Sequence, residues 1–165
     1  MPCRPEMTLK PPSLRPLCLY RATLAQPQHD AGTGPLGRRM IAVVTGGDFS
    51  GARLNGVVLP GGGDWALIDA ANDVLRLDAR VTWQTGDGAR IYVSYTGIFR
   101  PYSEGPRQFV RGGTLSDADR QALYFRTRPV FETGDARYAW LNDIVAVGVG
   151  LVTPTGVAYE LHEVL

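Results

Sequence analysis

Apolar and polar residues alternate with a period of two along most of the chain from residue 16 to the C-terminus. The segment LDARVTWQTGDGARIYVSYTG, residues 77–97, shows this pattern most clearly. Successive side chains of a β-strand point to opposite faces, so the alternation predicts two strands. The dipeptide Asp87-Gly88 between them favours a tight turn, and residues 74–84 and 89–100 are predicted to form a β-hairpin.

The same period predicts strands along the rest of the chain, with glycine, proline or asparagine at the breaks between them. Gly46-Gly47 is interpreted as a turn. The predicted strands outside the hairpin are residues 17–25, 37–45, 48–59, 64–69, 124–133, 138–141, 143–151 and 156–164. One short helix is predicted over residues 116–123, with Ser116 as its N-cap. The proline-rich residues 1–13 are predicted to be a flexible tail, and residues 14–165 a single domain.

These elements predict an all-β fold of about nine or ten strands with one short helix. The pattern contains no βαβ unit and no amphipathic helix long enough to cover a sheet. Exposed sheet edges promote aggregation, so the strands are expected to form a sandwich or a closed barrel. The long strands and their interior glycines favour an antiparallel β-barrel, which at this size can hold one small ligand.

Charge and composition exclude several classes of partner. The 165 residues include 17 basic and 16 acidic side chains, for a formal net charge of +1, so no partner role with nucleic acid or with a membrane is predicted. No apolar run approaches the ~20 residues of a membrane helix, and the N-terminus lacks the apolar region of a secretory signal. A cytoplasmic location is therefore expected, with a small-molecule ligand as partner. A homo-oligomer is a further alternative.

The sequence indicates neither a metal site nor a cofactor. His29 and His162 are the two histidines, and their spacing does not match a zinc site. Cys18 lies in an apolar strand and is interpreted as a core residue. The glycines of PGGG, residues 60–63, precede a strand rather than the helix that a phosphate-binding loop requires.

Three long segments resemble the family named domain of unknown function 3237, also called uncharacterised protein family 0311. They are TGGDFSGARLNGVVLPGGGDW (45–65), the hairpin segment 77–97, and YFRTRPVFETGDARYAWLNDIVAVGVG (124–150). The resemblance implies a calycin-like antiparallel barrel, found in bacterial and fungal proteins, and implies much less about activity. Two positions depart from the family pattern: Tyr95 stands where Asn is usual, and Gly63 where Ala is usual.

The hairpin supplies the first candidate site. A two-residue turn pairs Arg80 with Tyr95 and places both on one face with Phe99. That face either lines a cavity, which needs a few polar groups among apolar ones, or is washed by solvent. If Gly86 belongs to the turn, the pairing slips by one residue and the assignment fails.

Two further segments carry candidate residues. In GGGDW, Asp64 and Trp65 are expected at the mouth of the barrel, or else as a turn cap and a core anchor. In residues 124–142, Arg126 and Glu132 form either an ion pair inside the barrel or a substrate-binding and proton-transferring pair. The predicted catalytic residues are Asp64, Glu132, Arg80 and Arg126. The predicted ligand-binding residues are Trp65, Tyr95, Phe99, Tyr138, Trp140 and Asn142.

Three functions are compatible with this pattern. A cofactor-independent isomerase, cyclase or lyase would act on a small carbonyl-bearing or aromatic metabolite, with a carboxyl group that borders open cavity and has a shifted pKa. A lipocalin-like carrier or sensor would have an apolar cavity with charges only at its rim. A structural oligomer would have a barrel filled by its own side chains.

Overall fold

The computed structural model describes residues 9–104 and 122–165, which form ten β-strands and two short 3-10 helices. The helices are Tyr102–Glu104 and Ala136–Asp143, and we call the second the closing helix. The strands are β1 (Leu14–Leu24), β2 (His29–Gly34), β3 (Gly37–Ser50), β4 (Asn55–Val58), β5 (Gly63–Asp69), β6 (Val74–Thr85), β7 (Arg90–Arg100), β8 (Tyr124–Glu132), β9 (Ala146–Thr153) and β10 (Gly156–Val164).

The strands close into an antiparallel barrel, which confirms the fold that the long strands and their interior glycines favoured over a sandwich. Around the barrel the order is β1, β10, β9, β8, β7, β6, β4, β3, and β3 pairs again with β1. β4 and β5 together fill one strand position of the barrel, between β3 and β6, because each of them pairs with both of these strands. The barrel therefore has eight strand positions, and the outer strand β2 pairs with β3.

The predicted turn at Gly46-Gly47 is wrong, because β3 runs through both glycines. Their φ angles are 157° and 144°, a backbone conformation that L side chains rarely adopt. A Cβ on Gly47 would also lie 2.0 Å from the carbonyl oxygen of Arg21. The two glycines let β3 bend so that its first half pairs with β5 and its second half with β1 and β4.

The hairpin forms with the alternative register, so the predicted pairing is wrong by one residue. Ala79 pairs with Tyr95, and Arg80 pairs with Ser94. Gly86 belongs to the turn, which is held by a hydrogen bond from the backbone N of Ala89 to Oγ1 of Thr85 at 2.8 Å. The slip places Tyr95 inside the barrel and Arg80 outside, because a shift of one residue exchanges the two faces.

Aromatic side chains fill one half of the barrel. Trp83 is fully buried and stacks on Phe49 with ring centroids 4.3 Å apart. Tyr20 and Phe131 pack around the same indole at 5.0 and 5.8 Å. Large rings at these distances exclude water and contribute much of the apolar area buried on folding.

The closing helix covers this filled end of the barrel. Residues 138–141 are part of it, so the strand predicted there is wrong. Asp135 begins the helix by accepting a hydrogen bond from the backbone N of Arg137 at 3.0 Å, and Leu141 inserts into the core. The guanidinium of Arg53 lies 4.3 Å from the ring centroid of Trp140.

An ion-pair network joins the first and last strands at the same end. Glu163 is nearly buried and accepts hydrogen bonds from Arg15 at 2.8 Å and from Arg53 at 2.5 Å. These hydrogen bonds, together with the positive charges, lower the pKa of the Glu163 carboxyl. The network ties β1 and β10 to the loop that carries Arg53.

We expect Glu163→Gln to lower the free energy of unfolding by about 1 kcal/mol, because both arginines lose a charged acceptor but stay half exposed. Chemical denaturation measures this difference. The stabilisation is present above the ordinary glutamate pKa of 4.5 and disappears as the pH falls through the lowered pKa of Glu163. Asp48→Asn removes an exposed ion pair with Arg21 and serves as the control with a smaller expected loss. An equal loss in the two variants would contradict the role of Glu163.

Most of the predicted short helix, residues 116–121, lies outside the described residues, as do residues 1–8 of the predicted tail. The structure begins with Leu9 to Ser13 exposed before β1. Among the described residues, no helix is long and apolar enough to span a membrane.

Candidate functional site

The half of the barrel away from Trp83 is hollow. It contains a cavity of about 420 Å³, within the range of small-molecule sites. Most of the wall is apolar and comes from eight strands, which contribute Leu24, Met40, Ala42, Val44, Ala66, Leu75, Leu77, Phe99, Phe125, Val152 and Val157. The lining residues with polar side-chain groups are few: Gln26, Gln28, Asp64, Tyr95, Tyr102 and Tyr159.

Asp64 is the carboxyl group in this wall. It lies on β5 with the same parity as buried Ala66 and Ile68, so its side chain points inward. Its backbone pairs with Ala42 on β3 and Ala79 on β6, whose methyl side chains leave space around the carboxyl. Oδ1 accepts a hydrogen bond from the backbone N of Asp78 at 2.8 Å.

Burial raises the pKa of Asp64 to about 6. The hydrogen bond from Asp78 opposes the rise, the negative charge of Asp78 adds to it, and the positive charge of Arg39 opposes it. A carboxyl group with this pKa exchanges its proton near neutral pH, whereas an ordinary aspartate stays ionised. Asp64 is therefore suited to accept and return a proton in the cavity.

Tyr95 and Tyr159 both line the same cavity. Tyr95 lies in one cross-strand row with Asp64, separated from it by Ala79, and its ring packs edge-on against Tyr159 at 5.5 Å. Behind them, the buried Tyr20 stacks on Tyr159 at 5.4 Å and its hydroxyl lies 3.4 Å from that of Tyr95.

These three tyrosines are neutral hydrogen-bond donors at physiological pH. Burial raises the pKa of each phenol well above 10, and the negative charge of nearby Asp64 raises it further. A neutral phenol can donate a hydrogen bond to an oxygen that gains negative charge. The cavity thus combines one proton acceptor with a set of fixed donors.

Three of the predicted site residues line this cavity: Asp64, Tyr95 and Phe99. Phe99 stacks on Phe125 at 4.8 Å and forms part of the apolar wall. Gly150 lies against the Phe125 ring, where an added Cβ would be 2.7 Å from it. The absence of a side chain at Gly150 therefore lets Phe125 adopt this position.

Four other predicted residues lie on the outer surface and are not brought together with Asp64. Arg80 forms an exposed ion pair with Asp78 at 3.1 Å and lies 5.6 Å from the ring centroid of Trp65, which is 37% exposed. Arg126 and Glu132 share the exposed face of β8, so the proposed ion pair inside the barrel is wrong. In β5, β6 and β8, the residues of the opposite parity, which are mostly apolar, face the interior of the barrel.

The remaining three predicted residues lie at the closed end of the barrel. Tyr138 donates a hydrogen bond from its hydroxyl to Asp87 at 3.1 Å, and Trp140 packs under Arg53. Asn142 accepts from the backbone N of Thr133 at 2.9 Å and donates to its carbonyl oxygen at 3.0 Å. All three hold the closing helix against the barrel, away from the cavity.

Sequence reasoning missed Tyr20, Tyr102 and Tyr159. A signal existed for Tyr159, which has the same parity as Val157 and Leu161 in the last strand and is therefore on the apolar face. Tyr20 similarly shares its parity with Cys18 and Ala22. A tyrosine within an apolar stripe is a buried ring whose hydroxyl needs a partner, and here the hydroxyl of Tyr20 lies near that of Tyr95.

Cys18 is buried, and burial raises the pKa of its thiol to about 12, which disfavours the reactive thiolate. Across residues 9–104 and 122–165, no group of three or more His, Cys, Asp or Glu side chains is arranged to hold a metal ion.

Comparison with known proteins identifies the family. The family model described as "Protein of unknown function (DUF3237)" matches residues 12–164. The UPF0311 protein RPA1785 of Rhodopseudomonas palustris (strain ATCC BAA-98 / CGA009) is 37% identical over 135 residues, which are 82% of this chain and 86% of that protein.

Solved structures share the fold. The crystal structure of RPA1785, described as a conserved protein of unknown function, superposes with a TM-score of 0.82 at 32% identity and covers 96% of this chain and 100% of that one. A beta-barrel like protein from Acinetobacter baumannii AYE gives 0.81 at 32%, covering 97% and 100%. An enzyme from Penicillium herquei gives 0.67 at 21%, covering 100% of each chain. On the family-model match and the identity to RPA1785, the chain belongs to the DUF3237 (UPF0311) family.

Proposed function

We propose that the protein is a cofactor-independent acid–base enzyme that moves a proton on a small, uncharged and largely apolar carbonyl compound. One observation carries this proposal: a carboxyl group with a pKa of about 6 borders a mostly apolar cavity that is also lined by tyrosines. Isomerisation, cyclisation and elimination all need a proton acceptor and a hydrogen-bond donor set of this kind.

Asp64 serves as the general base. At pH 7 it is mostly ionised, and its raised pKa makes the carboxylate a stronger proton acceptor than an ordinary aspartate. General bases work best when their pKa lies near the operating pH. The hydrogen bond from the backbone N of Asp78 holds one carboxylate oxygen in place, so the other is available to the substrate.

Tyr95 and Tyr159 serve as hydrogen-bond donors to the substrate oxygen. When Asp64 removes a proton from the carbon next to a carbonyl, negative charge moves onto the carbonyl oxygen. Neutral phenols that border a low-dielectric cavity stabilise this charge, and their fixed positions require little reorganisation during the reaction. The same proton can return from Asp64 to another atom of the substrate, which completes an isomerisation.

The lining of the cavity also limits the substrate class. Its described residues include no lysine, arginine or histidine, whereas Asp64 supplies a negative charge. A carboxylate or phosphate substrate would be repelled and would find no counter-ion. A neutral molecule with one or two oxygens and an apolar ring or chain matches this wall.

The likeness to the enzyme from Penicillium herquei supports only that this fold can carry catalysis. A carrier or sensor of a small apolar ligand is the second candidate, because most of the lining is apolar and the cavity opens at one end of the barrel. A carrier would bind the same class of molecule without needing a carboxyl group of raised pKa.

Hydrogen–deuterium exchange separates the two functions. The protein is incubated in D₂O with uncharged ketones of increasing size, such as cyclohexanone, acetophenone and β-tetralone. Proton NMR follows both binding and loss of the hydrogens next to the carbonyl. We expect at least one bound ketone to exchange about 100-fold or more faster than in buffer. Binding without accelerated exchange would indicate a carrier, and no binding by any of the ketones would contradict both functions.

A further inference from the structure

A second concave surface lies on the outside of the barrel, across β6, β7, β8 and β9. It is a groove of about 620 Å³, lined among others by Arg76, Thr96, Ile98, Arg126, Arg128 and Val147. We call it the arginine groove. Strand pairing explains how it forms: Arg76 pairs with Ile98, which pairs with Arg126. In the next outward row, Thr96 pairs with Arg128.

The arginines of this groove have no ion-pair partner in the described part of the chain. Elsewhere on the surface, arginines lie within 4.0 Å of carboxylates: Arg15, Arg21, Arg38, Arg53, Arg80 and Arg137. None of the groove arginines forms such a pair with residues 9–104 or 122–165. The positive charges of Arg76, Arg126 and Arg128 therefore lie on one face without a carboxylate partner from these residues.

Nearby carboxylates are held by other groups. Asp78, next to Thr96 in the sheet, pairs with Arg80 at 3.1 Å. Asp73 accepts hydrogen bonds from the backbone N and hydroxyl of Ser103. Asp69 accepts from the Asn72 side chain at 2.8 Å, and Arg76 acts on it only by its charge. Glu160 lies on β10 in the same cross-strand row as Arg126, with Val149 between them, and does not reach it to form an ion pair. No described carboxylate is therefore in direct contact with a groove arginine, and an added anion could bind these guanidinium groups.

Hydrogen bonds and a ring contact hold the guanidinium groups of Arg126 and Arg128 in place and use only some of their N–H donors. Arg128 donates from Nε and Nη2 to Thr96 Oγ1 at 3.2 and 2.8 Å. Arg126 donates from Nη1 to the carbonyl oxygen of Phe125 at 3.0 Å and lies 5.2 Å from the ring centroid of Tyr124. An arginine carries five N–H donors, so both retain N–H groups that can bind an oxyanion.

We propose that the arginine groove binds an oxyanion attached to an apolar body, with an organic carboxylate as the expected ligand. Arg126 and Arg128 bind the charged group, since guanidinium matches the geometry of carboxylate and phosphate. Ile98 and Val147 contact the apolar part of the ligand. The groove lies on the outer face of the sheet, whereas Asp64 lies inside, so the groove takes an anionic ligand and the cavity an uncharged one.

The test uses the full chain with its isoleucine methyl groups labelled with ¹³C, because Ile98 lies in the groove. Octanoate, inorganic phosphate and the neutral octanamide are titrated separately while methyl NMR follows Ile98. We expect octanoate to shift the Ile98 signal saturably and octanamide to leave it unchanged. A comparable saturable shift with phosphate would identify the oxyanion alone as the ligand and would overturn the requirement for an apolar body.

Two variants locate the binding. Arg126→Gln/Arg128→Gln is expected to weaken octanoate binding at Ile98 at least tenfold. Arg90→Gln is the matched control, because Arg90 is exposed, hydrogen-bonds Gln84 rather than a carboxylate, and lies outside the groove. Unchanged affinity in the double variant, equal loss in the control, or no saturable shift with octanoate would each overturn the proposal. A thermal unfolding curve checks that the variants are folded.

Discussion

Replacing Asp64 with Asn will lower the rate of proton exchange on a bound ketone by about 100- to 10 000-fold. Asparagine keeps the size of the side chain and an oxygen that can accept from the backbone N of Asp78. It cannot take a proton from carbon. The measurement is deuterium incorporation into whichever ketone the unmodified protein exchanges, with the affinity determined in parallel by NMR titration.

The pH dependence gives a second test of the same residue. Only the ionised carboxyl accepts a proton, so the exchange rate should rise as the pH increases through about 6 and then become constant. In Asp64→Asn the exchange rate should no longer rise with pH in this range. If the rise near pH 6 persists in the variant, another residue is the base.

The same substitution should stabilise the protein, which distinguishes lost chemistry from lost folding. Between the ordinary aspartate pKa of 3.8 and about 6, the folded protein binds a proton at Asp64 that the unfolded chain has released. Stability therefore falls as the pH rises through this window, and it stays lower above it. The neutral amide avoids this cost, so Asp64→Asn should raise the free energy of unfolding at pH 7 by up to about 3 kcal/mol. A fall in the melting temperature would contradict the assignment of a buried carboxyl group with a raised pKa.

Tyr95→Phe tests the proposed hydrogen-bond donor of the cavity. It removes one hydroxyl and keeps the ring, so the apolar packing against Tyr159 is preserved. We expect ketone affinity to change little while the exchange rate falls about 10-fold or more, because the hydroxyl acts mainly on the charge that develops during proton transfer. A variant that loses affinity and keeps its rate would place Tyr95 in binding alone.

The sequence predicts the barrel because its alternation repeats in nearly every strand. Side chains that share a parity share a face, and this placed Leu77, Ala79, Val81 and Trp83 together correctly. Their burial follows from the hydrophobic effect. The hypothesis that the polar face of β6 with Arg80 lines a cavity departed from this rule, because it put the polar parity inside. In the structure this face is outside and the apolar parity is buried.

The register of the hairpin depends on one residue of its turn. Asp87-Gly88 alone suggests a two-residue turn, but Thr85 and Ala89 join across a longer one that includes Gly86. The side-chain hydrogen bond from Thr85 to Asp87 at 2.5 Å supports this turn. The local sequence pattern does not predict a side-chain hydrogen bond of this kind. The resulting shift of one residue decides whether Arg80 or Ala79 pairs with Tyr95.

The site was predictable in part, because Asp64 stands out from its surroundings. It follows three glycines, and its parity matches Ala66 and Ile68, so a carboxyl group in an apolar stripe could be noticed. The tyrosines at 20 and 159 come from strands far apart in the chain, and their contact depends on β1 pairing with β10. Residues 138–142 read Tyr-Ala-Trp-Leu-Asn, which puts both aromatic rings on one parity as in a strand, whereas the segment is helical and begins at the cap residue Asp135.

Trp83→Ala should destabilise the protein by about 3 to 5 kcal/mol, the largest loss we expect from a single substitution in the barrel. The indole is fully buried and contacts the rings of Tyr20, Phe49 and Phe131. Its removal leaves a space that these rings cannot fill, because each is held by its own strand. Urea denaturation followed by circular dichroism measures the loss. Trp83→Phe keeps a ring in the layer and should cost less than half as much.

Trp65→Ala is the matched control, since it removes the same side chain from the outer face of β5. Trp65 is 37% exposed and lies near the guanidinium of Arg80, so we expect its removal to cost less than about 1 kcal/mol. A difference of several kcal/mol between the two tryptophan variants would show that stability comes from the filled half of the barrel.

The aromatic layer around Trp83 also supports the tyrosines of the cavity. The ring of Tyr20 packs on Trp83, and the hydroxyl of Tyr20 lies 3.4 Å from that of Tyr95. Trp83→Phe should therefore retain ketone exchange, whereas equal losses in Trp83→Ala and Trp65→Ala would refute this division of the barrel into a packed half and a hollow half.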